Sequence, residues 1–276
     1  MSNLVLNFDS EVGGEHVFKI NTGMPVSITS AEEHFARIFF DIERLALPIY
    51  HDIVQAITTF ARNDKASCAW HVASISAHLR PALNTYYERV HDKAIPISIW
   101  LSRVQGFFAW GAGRTNSSTG EWERFDGLSG NQILLFQVLD AFLGMEPYLS
   151  AQDLERTVPL RQRAFCKAVE KYSFRGKLNS PPNDDNEMQI LRELDEIIKR
   201  LRVSLITMLL LFGKFELISA PQVFRSAHRI RSKNYLSQPA PERLPMTAGK
   251  SLLNGDMDQS LEFLDQFMIR RFEQTV

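Results

Sequence analysis

An excess of charge of either sign is what this sequence most plainly lacks. Its 31 Lys and Arg stand against 32 Asp and Glu, for a formal net charge of −1. No global field therefore recruits nucleic acid or an anionic membrane. Cysteine is scarce. Cys68 and Cys166 are the only two, far apart and inside apolar helical patterns, which predicts buried free thiols in a reducing compartment rather than a disulfide framework. Long hydrophobic runs are missing as well. The most apolar stretch, LITMLLLFG at 205–213, is about half the length a membrane-spanning helix needs and reads as buried helix. The N-terminal MSNLVLNFDSEVGGEHVF has no basic region followed by an apolar run, so it does not read as a signal peptide. The expectation is a soluble, cytoplasmic protein. HExxH, CxxC, P-loop, GxGxxG and GxSxG patterns are all absent, which removes the common zinc hydrolase, nucleotide-binding and serine hydrolase readings.

What is present is helical periodicity. Hydrophobic residues make up 45% and charged residues 23%, an ordinary balance for a globular chain with ample core. After an irregular arm over 1–28, Ser30 with Glu33 three residues on forms a capping-box pattern. Phe35, Ile38, Phe39, Ile42, Leu45 and Leu47 then follow helical spacing up to Pro48. Further helices are predicted over 50–62, over 65–91 with a kink at Pro81, over 97–110, over 133–144 ending at Gly144, and over 152–172. The series closes with 187–212, a helix from Pro221 carrying Val223, Phe224, Ala227, His228 and Tyr235, and 256–273. The glycine-rich stretch 111–132 and NSPPNDDN at 179–186 read as loop and linker. Neither an internal repeat nor a heptad seam is visible. The expected fold class is all-α, with one helical domain over 29–276.

Four segments could carry chemistry. Arg103 lies in WLSRVQGFFAW among aromatic and aliphatic residues. A guanidinium buried there needs an anion, either an internal carboxylate or the carboxylate of a substrate held in a bidentate fork. FDGLSGNQ at 125–132 precedes an apolar helix; it reads as a capping loop, or as backbone amides offered to an anion or oxygen ligand. MTAGKS at 246–251 offers Thr247, Lys250 and Ser251 as donors, and Gly249 lets the backbone approach closely. It reads equally as a lid over a ligand and as a surface turn. Last is FRSAHRIRSKNYL at 224–236, where His228 stands among arginines. Imidazole is a good axial ligand for haem iron, although a lone helical histidine is more often structural. His16, His34, His51, His71, His78 and His91 form no metal-ligand constellation and read as surface or hydrogen-bonded residues.

Taken in order, these segments resemble the haem-dependent aromatic oxygenase superfamily that includes the indoleamine and tryptophan 2,3-dioxygenases. FARIFFDIE (35–43) resembles the distal-side helix, and WLSRVQGFFAW the helix bearing the substrate-carboxylate arginine. FDGLSGNQILLFQVLDAFLG (125–144) resembles the Gly-Ser-Ala-Gly-Gln loop with its following helix, and VPLRQRAF (158–165) the Met-Pro-Pro-x-His-Arg-x-Phe stretch. FRSAHRIRSKNYL is similar to the proximal helix of monodechloroaminopyrrolnitrin synthase-like members.

The resemblance implies haem b with His228 on the iron, and Ser129, Arg225 and Arg231 as further cofactor-binding residues. It places Arg103 on the carboxylate of an aromatic, indole-bearing amino acid and puts Ser129 and Gly130 in the catalytic pocket. Phe39, Phe40, Phe107 and Trp110 become the distal wall, and Thr247, Gly249 and Lys250 the cover. It further implies oxygen insertion into the ring with dioxygen or peroxide as oxidant. A second register sets KRLRVSLITML (199–209) against the proximal helix and puts Leu205 at the ligand position. Three other readings stay open: a haem-dependent tyrosine hydroxylase on the same scaffold, a non-catalytic haem-binding protein, and a haem-free helical scaffold. Monomer and homodimer are both compatible with the apolar surface the helices offer.

Overall fold

The computed structural model describes residues 7–9, 15–17, 21, 23–89, 91, 93–104, 113–115, 118–120, 122–124, 133–146, 151, 154–155 and 158–201. The described residues are all-α in their body. Helix α1 spans Val26–Ala61, α2 Lys65–Arg89 and α3 the short Ile97–Ile99, which runs into a π-helical turn at Trp100–Val104. Helices α4 (Leu134–Leu143), α5 (Leu160–Tyr172) and α6 (Asp185–Leu201) follow. Two small antiparallel hairpins accompany them: β1 (Asn7–Asp9) with β2 (Glu15–Val17), and β3 (Gly113–Thr115) with β4 (Trp122–Arg124). Among the described residues no helix is long and apolar enough to cross a membrane.

Pro48 does not end the first helix. The expected pieces 30–48 and 50–62 are one helix, because Ile38, Ile42, Ala46, Ile49, Ile53 and Ala56 form a single buried stripe that runs through the proline. A proline inside a helix costs about 3 kcal/mol, whereas each fully buried Ile contributes about 1.5–3 kcal/mol. Four such residues outweigh the lost hydrogen bond. The start also differs. Pro25 occupies the N-cap position with φ −52°, a residue pre-set for a helix start, so Ser30 and Glu33 lie inside the helix. There Glu33 pairs with Arg37 at 2.8 Å instead of capping.

Asn63, with φ 60°, turns the chain between α1 and α2, and the Asp64 carboxylate caps α2 by accepting the Ser67 amide at 3.1 Å. So short a connection makes α1 and α2 antiparallel neighbours. Helix α2 continues through Pro81. Gly144, in the left-handed region at φ 69°, ends α4 as expected. Residues 151, 154 and 155 are helical and α5 runs on from Leu160, so the expected helix 152–172 is broken ahead of Pro159, since the residue before a proline is pushed out of the α region. The expected loop 111–132 contains the β3–β4 ladder, with Gly113 opposite Arg124 and Thr115 opposite Trp122. The segment 202–276, with the helices expected there, lies outside the described residues.

Helix α6 closes the core by laying Ile190, Leu194, Ile197, Ile198 and Leu201 against α2. Its N-terminus is pinned by a capping box. The Asp184 carboxylate accepts the Glu187 amide at 2.8 Å, and the Glu187 carboxylate accepts the Asn183 amide at 2.7 Å. Lys65, at the start of α2, reaches both acids at 2.7 and 3.1 Å. Hydrogen bonds from Lys65 and Glu187 N–H hold Asp184 below its ordinary 3.8, and those from Asn183 N–H and Lys65 hold Glu187 below its ordinary 4.5. A depressed folded value contributes stability above the unfolded pKa that is lost as pH falls through the folded one. Lys65→Ala is therefore expected to lower the melting temperature at pH 7, and the gap to wild type should narrow steadily below about pH 4. A gap independent of pH in thermal melts would refute this coupling.

Candidate functional site

Three polar or aromatic clusters lie along α1, and each joins it to another element. The first faces the π-helical turn. Phe35 and Phe39, one helical turn apart, meet edge to face at 5.2 Å between ring centroids, and Phe35 meets Trp100 in the same manner at 6.1 Å. Trp100 is buried, Phe39 and Phe40 are half-buried, and Arg103, three residues beyond Trp100, is exposed. The turn is strapped from below. Asn21 donates to the fully buried Glu32 carboxylate through its backbone N–H at 2.7 Å and its side-chain amide at 2.8 Å, and that amide also reaches the Arg103 carbonyl at 3.4 Å.

Arg103 thus departs from the buried guanidinium the sequence suggested. The π-helical turn carries it to the surface, and among the described residues it makes no ion pair. At the surface it needs no internal salt bridge to offset burial.

The second cluster sits one turn further along α1. Glu43 Oε2 accepts the Tyr50 hydroxyl at 2.6 Å, while its Oε1 accepts the Leu134 amide at the first residue of α4 at 2.5 Å. Burial raises the Glu43 pKa above its ordinary value, against the lowering effect of the hydrogen bonds from Tyr50, Leu134 and Leu135. The Tyr50 hydroxyl is pushed up by its own burial and by the Glu43 carboxylate. The Tyr50 ring meets Phe165 of α5 edge to face at 6.1 Å.

The third cluster joins α1 to α2. Asp52, 4% exposed, accepts His71 Nδ1–H at 2.9 Å and the Ser74 hydroxyl at 2.6 Å, with His78 Nδ1 at 3.8 Å. His78 Nδ1 lies 3.0 Å from its own helix at Ser74 O. The Ser74 hydroxyl donates to the aspartate; His78 Nδ1 also lies 3.3 Å from it, but that nitrogen faces the Ser74 carbonyl and so donates its proton there, which leaves no base for the serine and no nucleophilic triad. Sequence reading missed both carboxylates. A signal existed for each: Glu43 follows Phe39 by four residues on an apolar helix face, and His71, Ser74 and His78 recur at spacings of three and four.

Of the expected site residues, Phe39, Phe40 and Arg103 fall within this description. Phe107, Trp110, Ser129, Gly130, Arg225, His228, Arg231, Thr247, Gly249 and Lys250 lie outside the described residues, as does Leu205. His34 and His91 are hydrogen-bonded to their own neighbourhoods. His34 Nδ1 lies 2.7 Å from Ser30 O, and His91 Nδ1 accepts the Ala94 amide at 3.2 Å. Among the described residues no group of three or more His, Cys, Asp and Glu is arranged to hold a metal ion. Both cysteines are free; Cys68 is buried and Cys166 half-buried.

No family model matches the chain. It is similar to the indoleamine 2,3-dioxygenase nanC of Aspergillus nanangensis, 26% identical over 191 residues, a match covering 61% of this chain. The chain spans just under half of that relative's length, 46%.

Proposed function

We propose that the chain is a haem-dependent oxygenase acting on the ring of an aromatic, indole-bearing amino acid or derivative, with dioxygen or peroxide as oxidant. The observation that carries the reading is the Phe35–Phe39–Trp100 ledge one turn from the exposed Arg103, which makes no ion pair among the described residues. The similarity to an enzyme named as an indoleamine 2,3-dioxygenase supports it. An aromatic amino acid presents a flat ring and a carboxylate. Aromatic side chains take the ring through offset and edge contacts, and a guanidinium takes the carboxylate through paired hydrogen bonds.

Among the described residues no group of three or more His, Cys, Asp and Glu is arranged to hold a metal ion, so the reading takes its iron ligand from outside them. Protein ligands to haem iron are drawn chiefly from histidine and cysteine thiolate. Burial pushes the Cys68 thiol up to about 12 and the Cys166 thiol up to about 11, so neither is a ready thiolate in the metal-free chain. The reading assigns the iron to His228, with Ser129, Arg225 and Arg231 beside the porphyrin. When bound, the haem supplies the iron at which the oxidant is activated. The chain's own contribution is positioning. Arg103 anchors the carboxylate, Phe39, Phe40, Phe107 and Trp110 wall the ring and exclude water, Ser129 and Gly130 line the pocket, and Thr247, Gly249 and Lys250 cover its open side.

An absorption spectrum of the full chain, expressed with haem supplementation and titrated with L-tryptophan and L-tyrosine, tests this. A Soret band that shifts with L-tryptophan is expected; folded wild type with no Soret band ends the oxygenase reading. On the same sample, Arg103→Leu is expected to weaken L-tryptophan binding by about 10–100-fold, the worth of a charge-assisted pair. Binding of tryptamine, which has no carboxylate, should be unchanged. Equal losses for both compounds would remove Arg103 from the carboxylate.

A further inference from the structure

We infer that Glu43, with Tyr50 as its second anchor, is a positioning residue for the pocket. By this inference it fixes the point at which the segment 125–132 runs into α4 relative to the α1 turn that carries Phe39 and Phe40. The inference rests on the oxygenase reading, which places Ser129 and Gly130 of that segment in the pocket.

The argument starts from an oddity of α4. Its N-cap residue is Ile133, in extended conformation and with no side-chain cap. A helix start leaves its first amides without intrahelical acceptors, and Ser, Thr, Asp or Asn at the cap normally meets one of them locally. Here the acceptor comes from 91 residues earlier. Glu43 Oε1 takes the Leu134 amide at 2.5 Å, and Leu135 N–H also bonds to the carboxylate. The other oxygen is held at 2.6 Å by the Tyr50 hydroxyl from two turns further along α1.

A carboxylate at a helix N-terminus is favoured by the dipole, but this one is half-buried and desolvation raises its pKa. A local Asp or Asn at 133 would cap the Leu135 or Phe136 amide with less burial of charge. What only the remote cap achieves is a fixed distance between two elements. Glu43 lies four residues after Phe39 and three after Phe40, so one face of α1 carries the aromatic wall and the anchor for α4 together. The segment bearing Ser129 and Gly130 joins α4 immediately before that anchor.

The test uses the full chain with haem bound, and compares Glu43→Leu, Glu43→Gln and Tyr50→Phe. Leucine removes both acceptors. Glutamine keeps Oε1 for the Leu134 amide and can donate its side-chain N–H to the Tyr50 oxygen, so it preserves the tie without the charge. Phenylalanine at 50 keeps the ring against Phe165 and removes only one donor. It serves as the milder probe should Glu43→Leu fail to fold. Amide hydrogen exchange is read on peptides covering 125–137, and L-tryptophan affinity is read from the Soret shift.

Expected for Glu43→Leu is exchange faster by about tenfold or more in 125–137, unchanged exchange in α2 and α6, and L-tryptophan affinity weakened by about tenfold. Tyr50→Phe should show the same pattern more weakly, and Glu43→Gln should restore both readouts. Faster exchange with unchanged affinity in haem-loaded protein would reduce Glu43 to a helix cap, and unchanged exchange in 125–137 would remove even that role. If wild type itself shows no Soret band, the oxygenase reading fails first and takes the pocket role with it. That failure is seen before any variant is made.

Discussion

Purified after expression with haem supplementation, His228→Ala is expected to lose or shift the Soret band expected of wild type, and His71→Ala to keep it. The comparison matters because His71 is the described histidine whose surroundings most resemble those of a metal ligand. Its Nδ1–H is held by the buried Asp52 carboxylate at 2.9 Å, and a carboxylate on one ring nitrogen is how many ligating histidines are oriented. Geometry argues against it. Asp52 lies on α1 well beyond Phe39, a separation of about 20 Å at 1.5 Å per helical residue. A haem at His71 is too far along the bundle to serve a ring seated between Phe39 and Trp100. The register that puts Leu205 at the ligand position makes a third forecast, since leucine has no donor atom. Under it neither substitution matters and wild type is colourless. Loss of the band in His71→Ala, with His228→Ala unaffected, would move the cofactor to the Asp52 cluster and dissolve the proposed pocket.

The helical body was legible because burial wrote it into spacing. Ile38, Ile42, Ala46, Ile49 and Ile53 recur at three and four, and all are 0–1% exposed; Gly144 stops α4 where the apolar pattern ends. The errors came where a local rule met a stronger tertiary term. Pro48 and the Ser30–Glu33 box are sound local signals, yet the buried stripe carries α1 through the first, and Pro25 pre-empts the second. Arg103 was misplaced for a related reason. Its neighbours are apolar, but composition does not reveal the π-helical turn that rotates it outward. Glu43 and Asp52 were hidden because their partners, Leu134 in one case and His71 and Ser74 in the other, belong to other helices. The spacings that mark them, Phe39 to Glu43 and His71 to Ser74 to His78, each lie within one helix and do not show which other helix supplies the partner. Of the site residues sequence named, Phe39, Phe40 and Arg103 lie among the described residues, where Phe35 meets both Phe39 and Trp100. Sequence reading missed the Asn21–Glu32 and Glu43–Tyr50 hydrogen bonds that tie α1 to its neighbours.

Phe174→Ala is expected to destabilise the protein by about 3–5 kcal/mol, a large share of the roughly 5–15 kcal/mol that holds a typical domain folded. Phe174 is 1% exposed. It stacks on Phe60 near the end of α1 at 4.4 Å, and meets Phe142 near the end of α4 edge to face at 5.5 Å. Its two neighbours finish the same helix end: the Ser173 hydroxyl donates to Phe142 O at 2.8 Å, and Arg175 Nη1 donates to Leu143 O at 3.1 Å. Those carbonyls have no acceptor role left within the helix, so this short segment both packs and caps the C-terminal end of α4. Thermal melts of Phe174→Ala should fall by roughly 10 °C. Tyr172→Ala, two residues away but 54% exposed, should stay within about 0.5 kcal/mol of wild type. Equal shifts for the two would mean the stack contributes nothing beyond surface contact. The two ends of α4 are thereby given different duties. Loss of Phe174 should lower the melting temperature while leaving L-tryptophan affinity intact well below the transition. Loss of Glu43 at the other end should reach the ligand, because only that end is continuous with the segment bearing Ser129 and Gly130.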